Sequence, residues 1–235
     1  MKEKIRKNSI YGEMANKEHK KESMLYVISG QSGSGKDTIL QKIVNLTDIR
    51  QIVRYTDRPI RPGELDGREY HFLSKEEMQT KIDHDEFTVL ETFDTAHGIW
   101  NYGTSLKELL YTNRSYITTV SLHDSPELLR WLIKNSVPYR WCYLSVNDQI
   151  RATRLFAREL MKEPLDFMEF ARRWSSDRED DATFFSVFEN IVGPMNICDT
   201  FFSISNDTSL SDTLSAIFQV FIREEDYPKV MPDMV

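Results

Sequence analysis

Cysteine is scarce in this chain, with only Cys142 and Cys198 among 235 residues. A small scaffold held together by several disulfides is therefore excluded, and such low cysteine use favours a reducing compartment. No apolar run approaches the roughly 20 residues that a membrane-spanning helix needs, and the first residues lack the apolar core of a signal peptide. We therefore expect a cytoplasmic protein with no membrane association.

Positive charge is also in deficit. The chain has 30 Lys and Arg residues against 37 Asp and Glu residues, which gives a net charge of −7 and a pI near 5.4. A general nucleic-acid binder presents a basic surface, so we expect no nucleic-acid partner. Any anionic ligand must instead be bound by Arg and Lys residues that are concentrated locally.

The chain has only nine glycines, and three of them lie close together. Gly30, Gly33 and Gly35 separate an apolar run at 25–28 from a helical pattern that starts at Lys36. The GxxxxGK spacing is that of a phosphate-binding loop, in which backbone N–H groups and the positive end of a helix surround phosphates that the lysine also reaches. The predicted ATP-binding residues of this loop are Gly30, Ser32, Gly33, Ser34, Gly35, Lys36, Asp37 and Thr38.

Asp37 departs from the loop pattern. The pattern has Ser or Thr there, whose hydroxyl contacts Mg²⁺. A carboxylate can serve a hard cation or simply favour the start of a helix, and both interpretations stay open. We expect Mg²⁺ to accompany ATP, with Asp37 as the candidate metal ligand.

A second polar segment follows at 54–72. It contains Arg58, Arg61, Glu64 and Tyr70 around two prolines and an Asp-Gly turn. Guanidinium groups suit a phosphate, a carboxylate can accept from the N–H donors of a purine edge, and a tyrosine hydroxyl can add a phosphate contact. The competing interpretation is a charged hairpin with surface ion pairs.

Apolar runs and helical patterns alternate along the chain, which is typical of α/β proteins with parallel sheets. We predict strands at 25–28, 51–56, 88–93, 116–122, 140–146 and 200–205, with helices at 36–44, 74–83, 105–112, 126–134 and 210–223. Ser74 and Glu77 have the spacing of a capping box. Two more helices are predicted, one from Asp148 and one after Pro164.

Three motifs together resemble the guanylate kinases, P-loop enzymes that transfer a phosphoryl group from ATP to GMP. They are GQSGSGKD at 30–37, RPIRPGELDGREYHF at 58–72 and NYGT at 101–104, and the resemblance extends over about 24–207. It implies a P-loop kinase fold with a parallel five-stranded sheet flanked by helices. It also implies a P-loop core at 24–57, 105–147 and 186–225, a GMP-binding subdomain at 58–104, a lid at 148–185 and a flexible arm at 1–23.

The resemblance also implies roles for residues of the GMP site. Arg58 would bridge the phosphates during transfer, and Glu64 would contact the guanine edge. Glu91 would be a second carboxylate facing the base. The full set of predicted GMP-binding residues is Arg58, Arg61, Glu64, Tyr70, Glu91, Tyr102 and Thr104.

Basic residues recur in the predicted lid. Arg151, Arg154 and Arg158 are spaced three and four apart and therefore share one side of a helix. By resemblance, Arg158 and Arg173 close over the transferring phosphoryl group, so the predicted catalytic residues are Lys36, Arg58, Arg158 and Arg173. A solvated helix face with ion pairs is the alternative for the lid residues. The resemblance places Asn206 near the adenine of ATP.

Two positions differ from the family pattern. Arg54 stands where guanylate kinases usually have a serine that helps to recognise guanine. Ser121 stands where they have an acidic residue, and Asp124 follows three residues later. The missing carboxylate is supplied by Asp124 or by Asp37, or the metal is held only by phosphates and water. Asp124 can also cap the helix near Pro126, and the cap is favoured.

Two alternatives to a guanylate kinase stay open. A ribose 1,5-bisphosphokinase, or another nucleotide kinase, would share the SGSGKD loop. A non-catalytic guanylate-kinase-like module would bind a phosphorylated partner protein instead of small nucleotides, although its ATP loop is typically degraded. The sequence makes no prediction of oligomeric state.

Overall fold

A computed structural model describes residues 23–61, 63–95, 98–107, 109, 113–161, 167–192 and 200–227. Its main sheet has five strands in the order β2-β7-β1-β8-β9, and every pair in it is parallel. The strands are β1 Leu25–Ser29, β2 Arg50–Gln51, β7 Tyr116–Val120, β8 Tyr139–Ser145 and β9 Phe201–Ser205. The predicted parallel five-stranded sheet is therefore confirmed.

The central strand β1 is apolar throughout because the sheet buries both of its faces. All five of its residues are buried, and it pairs with β7 on one side and β8 on the other. Alternate residues point to opposite layers. Tyr26 and Ile28 belong to one apolar cluster, whereas Leu25 and Val27 belong to another on the opposite face.

Helices cover both faces of the sheet. Helix α1 (Lys36–Leu46) buries Ile39, Leu40 and Ile43 in the cluster of Tyr26. The C-terminal helix Leu210–Val220, here α6, packs into the same cluster. Helix α3 (Ser125–Lys134) lies on the opposite face, where its leucines join Trp141. These are the layers of a doubly covered α/β sheet.

A second sheet of four strands has the order β4-β3-β6-β5. Its strands are β3 Arg54–Thr56, β4 Tyr70–Phe72, β5 Val89–Thr95 and β6 Gly98–Thr104. Helix α2 (Lys75–Asp83) begins with the predicted capping box, in which the Glu77 amide donates to Ser74 Oγ at 3.1 Å and the Ser74 amide donates to the Glu77 carboxylate at 2.7 Å.

The single strand predicted at 51–56 is wrong, because the chain changes sheets within it. Arg50 and Gln51 pair with β7, and the Ile52 amide still donates to the Ile117 carbonyl at 2.9 Å. From Arg54 the chain pairs instead with β4 and β6. One continuous β-favouring run thus serves two sheets, and its side-chain pattern shows no break where the chain crosses.

Two long helices form the region between β8 and β9. Helix α4 is Asp148–Leu160 and helix α5 is Phe167–Val192, and the two contact each other. Residues 1–22 and 228–235 lie outside the described residues, as do parts of the helix predicted at 105–112. No helix of the described part of the chain is long and apolar enough to cross a bilayer.

Candidate active site

The phosphate loop runs from the end of β1 to the start of α1. Gly33 and Gly35 have φ angles of 83° and 91°, in the left-handed region that favours glycine. A β-carbon at Gly35 would lie 2.7 Å from Asn206 Nδ2, and one at Gly33 would lie 2.9 Å from Leu155 Cγ. The loop therefore needs glycine at both positions for its backbone shape and for its packing against β9 and α4.

Asn206, the predicted residue of the ATP site, fixes the loop from the end of β9. Its Nδ2 donates to the Ser34 carbonyl at 2.7 Å, and its Oδ1 accepts from Thr213 Oγ1 at 2.9 Å. Arg154 donates to the Asn206 carbonyl at 2.9 Å. The structure thus shows Asn206 shaping the loop, whereas its contact with adenine stays a prediction.

The residues at the start of α1 face outward. Lys36 is partly exposed, Asp37 and Thr38 are exposed, and Ser34 is buried with an Oγ that lacks a hydrogen-bond partner within the described residues. No group of three or more His, Cys, Asp or Glu side chains in the described ranges could hold a metal. A Mg²⁺ ion here would therefore depend on nucleotide phosphates, with Asp37 and the Ser34 hydroxyl as the side-chain oxygens available.

Arg58 lies buried just after β3, against the rings of β4. Its guanidinium makes two hydrogen bonds of 2.9 Å to the two oxygens of Glu64, a third of 2.8 Å to the Pro59 carbonyl, and lies 5.4 Å from the ring centres of Tyr70 and Phe72. This geometry holds the guanidinium in place before any ligand binds.

Glu64 accepts a third hydrogen bond in this arrangement. Besides the two bonds from Arg58, it accepts one from the backbone N–H of Arg61 at 2.8 Å. Burial alone would raise the pKa of Glu64, but the hydrogen bonds from Arg58 and the Arg61 amide lower it below its usual value. Both of its oxygens accept hydrogen bonds, so in this conformation Glu64 orients Arg58. Its predicted contact with guanine stays a prediction.

Tyr70 and Tyr102 line the space beside Arg58. Their ring centres are 5.6 Å apart, whereas Arg61 lies exposed at the rim. Burial raises the pKa of Tyr70, and the negative charge of Asp37 on α1 contributes to the rise. Thr104 is buried at the end of β6, where its carbonyl accepts the Thr88 amide at 2.7 Å.

Arg54 and Glu91 form a buried ion pair below the tyrosines. Arg54 Nη2 lies 2.5 Å from Glu91 Oε2, and the two side chains are only 14% and 4% exposed. Arg54 Nε and Glu91 Oε1 are buried without hydrogen-bond partners among the described residues. The pair therefore has an unused donor and an unused acceptor. Arg54, flagged in the sequence only as a departure from a family pattern, is thus part of the site.

Asp124 completes this cluster. It accepts a short hydrogen bond from the Ser121 hydroxyl, and the Asp124 amide donates to Ser121 Oγ at 3.0 Å. Burial raises the pKa of Glu91 to about 7, Arg54 opposes the rise, and Asp124 adds to it. Asp124 occupies the N-cap position of α3, as the favoured interpretation predicts, but its side chain makes no capping bond. The carboxylate interacts instead with Glu91.

Helices α4 and α5, which lie in the predicted lid, bring two unpredicted residues to the phosphate loop. Asp177 of α5 accepts from the Ser32 amide at 3.0 Å and from Arg151 of α4 at 3.2 Å. Arg158 is exposed on α4, and the side chain of Arg173 lies outside the described residues. The three-and-four spacing of the lid arginines could have pointed to Arg151, whereas nothing in the sequence singles out Asp177.

Comparisons with known proteins agree with this geometry. The family model described as guanylate kinase matches residues 22–128. The chain is 41% identical over 91 residues to a guanylate kinase of Geobacter sulfurreducens, and this alignment covers 38% of this chain and 43% of that protein. It is 32% identical over 117 residues to a guanylate kinase of Bartonella quintana, which covers 48% of this chain and 51% of that protein.

A solved structure is similar over most of the chain. The guanylate kinase of Anaplasma phagocytophilum aligns with a TM-score of 0.56 and 15% identity, over 91% of this chain and 89% of the other. The family model ends at residue 128, before the predicted lid. The chain spans about half the length of the curated relatives it matches. The resemblance predicted from the three motifs is confirmed, and the fold is that of a guanylate kinase.

Proposed function

We propose that this protein is a guanylate kinase that transfers the terminal phosphoryl group of ATP to GMP or dGMP. The observation that carries the proposal is the buried cluster of Arg54, Glu91 and Asp124 beside the Arg58 site. It combines a donor with two acceptors where the resemblance expects a base.

This set of groups complements the edge of guanine. Guanine presents the O6 acceptor next to the N1–H and N2–H donors, whereas adenine presents an amino donor next to an acceptor nitrogen. Arg54 can donate to O6, while Glu91 and Asp124 can accept from the N–H groups. Adenine would place its amino group against the guanidinium, which cannot accept a hydrogen bond. Such a site discriminates strongly between guanine and adenine, because its buried polar groups lack hydrogen-bond partners when the wrong base is bound.

The cluster of Arg54, Glu91 and Asp124 is called the base cluster, and the phosphate of the acceptor would bind next to it. Arg58 supplies a guanidinium held by Glu64, and Tyr70, Tyr102 and Arg61 supply donors around it. In the proposed reaction Arg58 would also contact the phosphoryl group in transit, the role that the resemblance implies for it.

The donor ATP would bind over the loop at 30–36, with Lys36 at its terminal phosphates. Mg²⁺ bound with ATP supplies charge neutralisation for the transferring group, and Asp37 and Ser34 are the residues that can reach it. The acceptor phosphate is already anionic, so in-line transfer requires positioning and charge stabilisation without a general base. Arg158 and Arg173 would add positive charge when the lid closes.

We also propose the division of the chain that accompanies this function. The core comprises 24–57, 105–147 and 186–225, the acceptor subdomain 58–104 and the lid 148–185, although the second sheet already begins at Arg54. The low cysteine content supports a cytoplasmic location, and the net negative charge supports small nucleotides, not nucleic acid, as ligands.

The experiment is an assay of ADP release from ATP·Mg²⁺ with GMP, dGMP, AMP, CMP, UMP and ribose 1,5-bisphosphate as acceptors. Turnover selective for GMP and dGMP is expected. Selective turnover of ribose 1,5-bisphosphate or of another nucleotide would contradict the proposed substrate. No turnover, together with phosphopeptide binding in the absence of ATP binding, would favour the non-catalytic module.

A further inference from the structure

A carboxylate from the lid occupies the mouth of the phosphate loop. Asp177 Oδ2 accepts the Ser32 backbone N–H at 3.0 Å, and Asp177 Oδ1 accepts the Ser32 hydroxyl at 3.2 Å. Gln31 reaches the Asp177 carbonyl at 3.4 Å. Backbone N–H groups of such a loop are the donors that bind phosphate oxygens, so Asp177 places anionic oxygens where a nucleotide phosphate would lie.

A buried cation stands on the other side of this carboxylate. Arg151 is fully buried, and its Nη1 donates to Asp177 Oδ2 at 3.2 Å, the same oxygen that accepts the Ser32 amide. Its Nη2 donates to Asp148 at 3.1 Å, and its Nε has no hydrogen-bond partner within the described residues. Any anion that replaced Asp177 Oδ2 at Ser32 would therefore also meet a guanidinium.

The position of Arg151 is fixed by its surroundings. The ring of Trp174 lies 3.9 Å from its guanidinium carbon, and a β-carbon at Gly33 would lie 3.1 Å from its Cγ. The arginine is thus held between α5 and the phosphate loop itself. Burial raises the pKa of Asp177, while its bonds from Ser32 and the charges of Arg151 and Lys36 act in the opposite direction.

We propose that Asp177 is a built-in competitor of the donor phosphates, and that Arg151 binds a donor phosphate once the nucleotide has displaced Asp177. When a nucleotide binds, its phosphate then replaces the Asp177 carboxylate as the acceptor of hydrogen bonds from Ser32 and Arg151. Because Asp177 belongs to α5, the exchange also moves this helix relative to the loop. The inference rests on the proposed nucleotide site at the loop, and it is independent of the acceptor.

The test compares Asp177→Asn with Glu179→Gln by calorimetric titration of the full chain with ADP, with and without Mg²⁺. Glu179 is exposed on the same helix, so its variant removes the same charge without touching the loop. Asp177→Asn is expected to bind ADP about tenfold more tightly in both conditions, because the neutral amide competes less well than a carboxylate for the donors of Ser32 and Arg151. Glu179→Gln is expected to match the wild type.

Three results would overturn the inference. Unchanged or weaker ADP binding by Asp177→Asn, with and without Mg²⁺, would show that Asp177 does not compete. Weakening with Mg²⁺ alone would make Asp177 a metal ligand instead. Pyrophosphate, which has no base, is the second probe, and Asp177→Asn should bind it more tightly by the same factor; a gain for ADP alone would place the effect outside the phosphate site.

The role of Arg151 is tested in the Asp177→Asn background by adding Arg151→Gln, with the thermal unfolding midpoint as the check on folding. Pyrophosphate affinity is expected to fall by about tenfold. Full affinity in the folded double variant would overturn the role of Arg151. If the double variant does not fold, Arg151→Lys keeps the charge but loses the planar fork, and it should weaken pyrophosphate binding to a smaller extent.

The inference and the proposed function fail in different ways. Absence of kinase turnover combined with tighter ADP binding by Asp177→Asn would reject the proposed function but support competition by Asp177. Turnover with GMP combined with unchanged ADP binding by this variant would support the function but reject competition by Asp177.

Discussion

The phosphate loop and the base cluster are built on opposite principles. The loop is a local structure, in which a few consecutive residues place their backbone N–H groups and one distant residue, Asn206, fixes their shape. The base cluster has no local origin, because Arg54, Glu91 and Asp124 come from β3, β5 and the start of α3. The first region depends on backbone shape, and the second depends on buried charges that must match one another.

This contrast predicts different consequences of mutation. In the loop, a functional side chain such as Lys36 can be removed without loss of fold, because the loop conformation depends on its glycines and on the hydrogen bond from Asn206. In the base cluster, each charge stabilises its partner, so a single substitution affects both recognition and stability.

The largest effect is expected for Lys36→Met. We expect turnover to fall on the order of 10³-fold, because the ammonium neutralises charge that develops on the transferring phosphoryl group. The thermal unfolding midpoint should stay unchanged, since Lys36 is partly exposed. Lys42→Met, at an exposed position of the same helix, is the matched control. Comparable turnover by the two variants would remove Lys36 from the chemistry.

A smaller effect on activity, with a loss of stability, is expected for Arg54→Met. We expect kcat/KM with GMP to fall about 100-fold while the low activity with AMP stays the same, because the contact to O6 is lost. Glu91 is left buried without its partner, which typically costs about 3–5 kcal/mol of folding free energy.

The stability effect of Arg54→Met has its own control. The double variant Arg54→Met/Glu91→Leu leaves no unpaired charge at this pair, so it should unfold at a higher temperature than the single variant. Arg50→Met, at an exposed residue of β2, should change neither stability nor selectivity. Preserved discrimination between GMP and AMP by folded Arg54→Met would contradict base recognition by Arg54.

An intermediate effect is expected for Glu64→Gln, which tests whether Glu64 orients Arg58 or contacts the base. The amide keeps one acceptor oxygen but loses the negative charge and one of the two bonds of 2.9 Å, which should loosen the guanidinium and lower kcat about tenfold, with a smaller rise in the KM for GMP. Glu69→Gln breaks the more exposed pair with Arg68 and should leave both constants unchanged. A rise in KM alone would support contact with guanine.

The same contrast explains what the sequence could predict. The loop, the Arg58 segment and the capping box at Ser74 could be predicted because their residues are neighbours in sequence with fixed spacing. The joining of Arg54 to Glu91 and Asp124 could not, because it depends on the change of sheets between Gln51 and Arg54. Asp177 reaches Ser32 across 145 residues through the packing of α5, and no local pattern records such a contact.

The smallest expected effect is a pH dependence confined to the base cluster. Burial raises the pKa of Glu91 to about 7, so the carboxyl group is protonated below that pH and charged above it. The charged form accepts from guanine N–H groups more strongly. Affinity should therefore be about half of its maximum near pH 7, approach that maximum about one unit higher, and fall as the pH drops below 7.

Guanosine is the ligand that isolates this pH effect, because it has no phosphate that titrates near neutral pH. Its dissociation constant, measured by calorimetry between pH 5.5 and 8.5, should show the dependence in the wild type, while Glu91→Gln should bind more weakly at high pH and show a flat profile. Arg54 opposes the raised pKa of Glu91, so Arg54→Met should move the midpoint of the profile to higher pH. A flat profile in the wild type would separate Glu91 from the base, and the guanine assignment would then depend on Arg54 and Asp124 alone.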